Sequence, residues 1–301
     1  MGDWNMNDRV VLITGATSGI GFATAKGLAR QGARLIITGR NRASGEQARQ
    51  QLSELGASSV DFIAADLASQ ASVHRLADEV AARYEQLHVL LNNVGGFFPV
   101  REETEDQIEA TLAINHLAPF LLTQLLLPLL QHSTPARIVN VNSDAHRLAK
   151  PPLDNDPQWR RNYSAIRAYA NAKLLNLLCT YEWSRILSDK GITVNALHPG
   201  VAMTALTENT PAPFRWYLRL VSFRSTLETV ADTSIYLASS DEVAGISGKY
   251  FVKRKPVRSS KWSYDEVLKV NAWDLSLNLT GTMRGGRSIG SVTAPPGIAS
   301  N

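Results

Sequence analysis

Eight residues near the amino terminus constrain this chain more than any others. Thr14-Gly15-Ala16-Thr17-Ser18-Gly19-Ile20-Gly21 ends the apolar run Arg9–Thr14 and opens a helical stretch, Gly19–Gln31. A strand that enters a helix through small residues is the start of an α/β unit. Small residues let the backbone approach a ligand closely. The first helical turn offers unpaired N–H groups and the positive end of its dipole. That combination suits a pyrophosphate, so Gly15, Thr17, Ser18, Gly19, Ile20 and Gly21 are candidate contacts of a nucleotide. A plain tight turn is the alternative. A kinase-type phosphate loop is excluded, because no Gly-Lys-Ser/Thr follows the glycines.

The alternation continues along the chain. Strands are expected at Arg34–Thr38, Val60–Ala65, Val89–Asn92, Arg137–Val141, Ile192–Ala196 and Lys249–Val252. Helices are expected at Gly45–Leu55, Ser72–Tyr84, Glu105–Gln131, Ala165–Asp189 and Leu227–Ala238, the long one interrupted or bent near Pro119. With the first pair this gives about seven strands alternating with helices, which predicts an α/β fold with a doubly wound parallel sheet. The strands read as continuous apolar runs, as expected when helices cover both faces. The expected organisation is a single domain over residues 8–279, with a flexible Gly/Ser/Pro-rich tail over 280–301.

Composition narrows the function classes. At 44% hydrophobic and 19% charged residues, the 301-residue chain has enough apolar material for a full core. The net charge is +4, but the surplus lies from Lys253 onward, and the first 252 residues are near neutral. Nucleic-acid binding needs a basic face on the folded domain and is not expected here. The Lys253-Arg254-Lys255 cluster reads as a solvated turn. A single cysteine, Cys179, rules out an internal disulfide and fits a reducing compartment. With no signal peptide in evidence, a cytoplasmic protein is expected. The most apolar run, Leu117–Leu130, contains Pro119, Gln124 and Pro128 and is short for a membrane span, so a buried helix is expected and no transmembrane segment. The six histidines show no zinc-type spacing, so no metal site is expected.

Tyr169 and Lys173 stand four apart on an expected helix and so share a face. A Y-x-x-x-K pair alone is common by chance. Here it follows a strand that ends Val141-Asn142-Ser143-Asp144-Ala145-His146. The glycine spacing T-G-x-x-x-G-x-G, the segment Asn92-Asn93-Val94-Gly95, this serine-bearing segment, the Tyr/Lys pair and His198-Pro199-Gly200-Val201 together resemble the short-chain dehydrogenase/reductase family. The resemblance covers about residues 8 to 280 and implies a Rossmann-type fold. The Ser143-to-Tyr169 gap of 26 residues, Lys249-Tyr250-Phe251 and Leu279-Thr280-Gly281 are similar to its retinol-dehydrogenase-like branch. Many members of that branch carry an amino-terminal membrane anchor, which is not expected here. Val94 departs from the usual alanine.

What the resemblance implies is an oxidoreductase that interconverts an aldehyde or ketone with its alcohol. A carbonyl that accepts hydride develops negative charge on oxygen, and a positioned O–H must supply a proton. Tyr169 takes that role in the family. Lys173 is expected to lower the pKa of Tyr169, near 10 when free, and to hold the nicotinamide ribose. Ser143 bonds the substrate oxygen, and Asn115 orders a water that links Lys173 to solvent. Asp66 and Leu67 border the adenine. Asn92, Val94 and Gly95 lie at the fourth strand's end. Pro199, Gly200 and Val201 turn under the nicotinamide, and Thr204 bonds its carboxamide. Gly39 stands where the acid that selects NAD(H) is usual, and Arg40 with Asn41 follows, so NADP(H) is favoured over NAD(H).

Phe214, Tyr217, Leu218 and Val221 follow a helical apolar pattern, and Phe97 and Phe98 could line the same pocket. This suggests a small-molecule apolar carbonyl or alcohol substrate, bulky in shape and retinoid-like or steroid-like. An ordinary lid helix is the alternative, as is transient membrane-surface contact through Arg215 and Arg219. His198 and Cys179 read as packing. A carbonyl-reductase activity is weighed against a catalytically silent nucleotide sensor or scaffold on the same fold. A nucleotide-sugar epimerase is disfavoured by the glycine spacing. Family relatives pair through their long fourth and fifth helices, so a homo-oligomer is an open possibility.

Overall fold

The computed structural model describes residues 4–151, 153, 156–200 and 226–282. Along the chain run β1 (Val10–Ile13), α1 (Gly19–Ala29), β2 (Arg34–Gly39), α2 (Arg42–Glu54), β3 (Ser59–Ala64), α3 (Gln70–Arg83) and β4 (Val89–Asn92). Then come α4 (Ala110–His132), β5 (Ala136–Val141), α5 (Ala165–Ile186), β6 (Ile192–His198), α6 (Leu227–Ser239), β7 (Tyr250–Val252), β8 (Lys255–Val257) and α7 (Glu266–Leu279).

The strands form one sheet in the order β3-β2-β1-β4-β5-β6-β7-β8. Every neighbouring pair is parallel except β7 and β8. β1, β4 and β5 are buried along their whole length, which is why they read as unbroken apolar runs. Leu28 of α1, Leu52 of α2 and Leu237 of α6 pack on one face of the sheet. Leu76 of α3, Leu121 of α4, Leu178 of α5 and Ala272 of α7 belong to the core on the other. The strand order reverses between β1 and β4. In such sheets the crevice beyond the strands' carboxyl ends, at that reversal, is where a ligand sits.

Three expectations need correction. The sheet has eight strands, not seven. Lys253 and Arg254 both have positive φ, 50° and 61°, and turn β7 into an antiparallel hairpin with β8. Arg254 is further held by an ion pair with Asp232. β8 is exposed throughout and carries Pro256, as suits an edge.

The long apolar helix starts at Ala110 rather than Glu105. Glu103 bridges back to Glu109, Gln107 turns through φ 58°, and the carboxylate of Glu109 accepts the N–H groups of Thr111 and Leu112, each at 2.8 Å. From there α4 runs for 23 residues and is apolar and long enough to cross a membrane, yet 67% of its most apolar window is buried inside the domain. Its turn Ala113–Leu117 is a π-helix, just ahead of Pro119.

The third correction is α7, since the sequence pattern places no helix after Leu227–Ala238. It lies across α5 and reaches α4. Trp273 packs edge-on against Phe120, 5.1 Å between ring centroids, and Trp183, 4.8 Å. Below them the buried His116 donates from Nε2 to the Ser276 hydroxyl at 2.7 Å, while that hydroxyl donates to the Ala272 carbonyl. Cys179 is buried beside the same hydroxyl, and burial pushes its thiol up to about 12.

Burial pushes the imidazole of His116 down to about 3, so the folded protein holds it neutral. The unfolded chain takes up a proton there below about pH 6.5 and the folded one does not. Stability from this site is therefore intact above pH 6.5 and falls by about 1.4 kcal/mol per pH unit on acidification towards pH 3. His88, His146 and His198, also lowered by burial, add to the same dependence, so in urea unfolding between pH 6.5 and pH 5 His116→Asn is expected to reduce the slope of stability against pH by about this amount; an unchanged slope would remove His116 as a source.

Candidate active site

The glycine-rich turn between β1 and α1 is a tight cradle. Gly15 and Gly19 have φ of 65° and 57°. At Gly21 an added Cβ would lie 2.3 Å from the Gly15 carbonyl oxygen and 2.5 Å from Asn93 Nδ2, so only glycine fits. Ser18 occupies the N-cap position of α1, yet its side chain makes no capping bond and no acid stands in the first turn. The α1 N-terminus is thus left open to an anion.

Asn93 closes the cradle from the β4 side. Its N–H donates to Thr14 Oγ1 at 2.9 Å and its amide to the Thr14 carbonyl at 2.9 Å. The sequence reading passed over Asn93 and placed Asn92 in the site. Asn92 instead turns its amide into the sheet, donating to Asn140 at 2.9 Å and Thr123 at 3.2 Å, so only its backbone faces the crevice. The Leu67 side chain likewise lies in the core, while Asp66 is exposed and accepts from the Ala68 N–H. Val94 Cγ2 presses on Gly15, 2.7 Å from where a Cβ would stand.

At the end of β2, Gly39 meets Thr17. A Cβ there would lie 2.6 Å from Thr17 Cγ2 and 2.9 Å from its hydroxyl. Arg40 is exposed. Asn41 spends its side chain capping α2, accepting from the Ser44 N–H at 2.9 Å. Arg42, which the sequence reading did not select, is exposed in the first turn of the same helix.

The second half of the site stands at the ends of β5 and β6. The Asn142 amide donates to the Lys173 carbonyl and to Asn176, both at 3.0 Å, and its oxygen accepts the Ser143 N–H at 2.7 Å. This side chain ties the serine's strand to α5 and had no role in the sequence reading. The Ser143 side chain lies close enough to the Tyr169 phenol to pull its pKa down. Phe97 packs edge-on to the Tyr169 ring, 5.9 Å between centroids, and so buttresses that ring. Phe98 is held through its carbonyl, which accepts from the Tyr163 hydroxyl at 2.8 Å.

Lys173 is 3% exposed and donates from Nζ to the Val141 carbonyl at 3.2 Å; the ammonium is 5.6 Å from the Tyr169 ring centroid. Burial pushes Lys173 down to about 8. It also pushes Tyr169 up to about 12, against a smaller downward pull from Ser143. The expected lowering of Tyr169 by Lys173 is therefore overruled in this structure by desolvation, and the phenol is held protonated.

Asn115 sits in the π turn. Its amide donates to the carbonyls of Gly96 (2.8 Å) and Thr111 (2.9 Å), and its oxygen accepts the Gly96 N–H (3.2 Å). With its side chain committed to the loop after β4, Asn115 keeps only its carbonyl for a water, and Pro119 has no N–H to occupy that carbonyl in the usual i+4 way. Gly200 has φ 101° and faces Val230, after Pro199. Val201, Thr204, Phe214, Arg215, Tyr217, Leu218, Arg219 and Val221 lie outside the described residues, as do positions 283–301 of the expected tail. His198 Nε2 lies 3.9 Å from the Asp144 carboxylate.

A glycine-rich cradle at the strand reversal stands at the same edge of the sheet as a serine, a tyrosine and a buried lysine. Residues 9–213 match the short chain dehydrogenase family. The chain belongs to that family. It is 39% identical to mouse (Mus musculus) retinol dehydrogenase 14 over 295 residues, covering 93% of this chain and 88% of that one. Among solved structures, an uncharacterized protein from Mycobacterium paratuberculosis matches with TM-score 0.74 at 33% identity, covering 92% of this chain and 95% of that one. A Pseudomonas aeruginosa RhlG/NADP active-site complex matches with TM-score 0.67 at 25% identity, covering 87% and 100%. This short-chain dehydrogenase is an oxidoreductase of the retinol-dehydrogenase-like branch. It uses a nicotinamide cofactor and acts on CH–OH and C=O groups. The cradle around Gly21 and the uncapped α1 N-terminus fit the cofactor's pyrophosphate.

Proposed function

We propose that the protein is an NADP(H)-dependent reductase of an apolar aldehyde or ketone, running in reverse on the alcohol, with Asn115, Ser143, Tyr169 and Lys173 as its working side chains. The observation that carries this reading is the Tyr169 ring set 5.6 Å from the buried Lys173 ammonium, with Ser143 near the phenol. Both hydroxyls can donate to one carbonyl oxygen, where charge develops. The cofactor, when bound, supplies or accepts the hydride. Tyr169, held as the neutral phenol, gives its proton to the nascent alkoxide. Ser143 holds that oxygen in line. Lys173, with a depressed pKa, can return a proton towards Tyr169 and hold the ribose hydroxyls. The backbone carbonyl of Asn115 orders the water that refills Lys173 from solvent. Gly15, Thr17, Ser18, Gly19, Ile20 and Gly21 take the pyrophosphate, and Asp66, Leu67, Asn92, Val94, Gly95, Pro199, Gly200, Val201 and Thr204 complete the cofactor's bed, the inward-facing ones by backbone alone.

The preference for NADP(H) is supported at the end of β2. Thr17 fills the space over Gly39, so no carboxylate stands there to take a ribose 2′-hydroxyl. Exposed Arg40 is placed to fork onto a 2′-phosphate, beside the N-terminus of α2. A resemblance to retinol dehydrogenases supports a bulky apolar substrate, retinoid-like in class. A cytoplasmic setting belongs to the same proposal and is supported by the lone cysteine, a buried free thiol.

The test is a titration of the purified protein with NADPH and NADH, followed by turnover on a panel of aldehydes, ketones and retinoids. Tighter binding and faster turnover with NADPH are expected. Arg40→Ala should weaken NADPH binding about tenfold and leave NADH unchanged. A wild-type preference for NADH would overturn the cofactor choice, and absence of turnover with every carbonyl class would overturn the reaction.

A further inference from the structure

His146 is fully buried three residues beyond Ser143, and both of its ring nitrogens are committed. Nδ1 lies 2.7 Å from the Ser143 carbonyl oxygen, which can only accept, so Nδ1 carries the proton. Nε2 accepts the Ser260 backbone N–H at 3.0 Å and so carries none. The two partners therefore define a single neutral tautomer. The ring is clamped edge-on by Tyr250 of β7, 4.9 Å between centroids. Tyr250 in turn donates to Asp144 Oδ1 at 3.2 Å, so the residue after the serine is held as well.

Ser260 belongs to the carboxy-terminal part of the chain, far from the glycine cradle in sequence. Its neighbour Ser259 shares hydrogen bonds with the Tyr181 hydroxyl of α5 at 2.7 Å and with Ser263 at 2.6 Å. The segment between β8 and α7 is thus anchored on the same helix that carries Tyr169 and Lys173. Through His146 it also reaches the serine's own backbone. The two hydroxyls that must converge on one substrate oxygen are held from a common support.

We propose that His146 is a positioning residue for the reaction: its Nδ1–H holds the Ser143 backbone in register with Tyr169, and the Ser260 N–H holds His146 in the tautomer that can do so. This rests on the reading of Ser143 as the group that bonds the substrate oxygen. His146 touches neither substrate nor cofactor and acts only through Ser143. Burial, which favours the neutral ring, agrees with this tautomer.

The two nitrogens can be tested separately. In His146→Asn the side-chain amide can take the place of Nδ1 and keep the donor to the Ser143 carbonyl. In His146→Gln the amide reaches the Nε2 position and leaves the Ser143 carbonyl with only the longer 3.2 Å bond from the backbone N–H of residue 146. Ser260→Pro removes the N–H, together with a buried hydroxyl that makes no hydrogen bond, at a residue whose φ of −64° already suits proline. The measurements are kcat and KM on the best carbonyl of the panel, the Kd for NADPH, and thermal unfolding, with Ser143→Ala beside them. The expected result is a loss in kcat of about tenfold or more for His146→Gln and a smaller loss for His146→Asn, with Kd for NADPH unchanged. Ser260→Pro should lower kcat severalfold with His146 intact. Equal losses in the Asn and Gln variants that track their Tm would overturn the proposal, as would wild-type kcat in Ser260→Pro. Loss of activity in Ser143→Ala with wild-type kcat in His146→Gln would overturn this proposal alone. Wild-type kcat in Ser143→Ala would overturn both it and the reading beneath it.

Discussion

Tyr169→Phe is expected to lower kcat about 10²- to 10⁴-fold while leaving the Kd for NADPH within a factor of two. The change removes one hydroxyl and keeps the ring, so the edge-on contact with Phe97 and the burial of the site survive. On the proposed reading, what is lost is the hydroxyl that gives its proton to the substrate oxygen. Ser143 can still polarise that oxygen, which is why residual turnover is expected rather than none. Stopped-flow reduction of the best panel carbonyl, with cofactor binding followed by fluorescence quenching, separates the two quantities. A variant that turns over within threefold of wild type would remove Tyr169 as the donor.

Gly21→Ala is expected to act on the other half of the site. Its new methyl would stand 2.3 Å from the Gly15 carbonyl oxygen, a backbone atom on a turn already held at positive φ. Neither side can yield without opening the cradle. Overpacking of this kind costs about 1–3 kcal/mol, and a displaced cradle should weaken NADPH by about ten- to a hundredfold. The signature is a raised KM for cofactor together with a lowered Tm, with kcat at saturating cofactor retained. Isothermal titration and thermal unfolding check both parts. Unchanged NADPH affinity in a folded variant would place the pyrophosphate elsewhere.

The parallel strands were legible because both their faces are buried, so β1, β4 and β5 carry no polar alternation to confuse with a loop. β8 was not legible, because its turn is Lys253-Arg254, with neither glycine nor asparagine to announce the positive φ values. In α7 the stripe Leu268, Ala272, Leu275 and Leu279 packs on the core, but the exposed Val267 and Val270 blur its period. Its anchor, Trp273, makes sense only against Phe120 and Trp183.

In the site, residue types and spacing pointed to Ser143, Tyr169 and Lys173, and the structure brings them together. Direction of pKa shift could not be read that way. Charge proximity suggested a lowered tyrosine, but burial of both groups decides the balance in the opposite sense. The bracing residues were equally hidden. Asn93, Asn142 and His146 act through backbone atoms, and nothing in a list of side chains marks which backbone atoms they will meet.

The docking of α7 across α4 and α5 has a consequence for how the molecule behaves on dilution. The ring of Trp273 and the hydroxyl of Ser276 reach Phe120, Trp183 and His116 from within the same chain. A tethered element meets its groove at an effective concentration in the millimolar range, set by the connecting segment rather than by how much protein is present. No translational freedom is surrendered when it binds, unlike a helix arriving from a second molecule. The aromatic seal over the helices that carry Asn115, Tyr169 and Lys173 therefore holds equally at nanomolar and at millimolar protein.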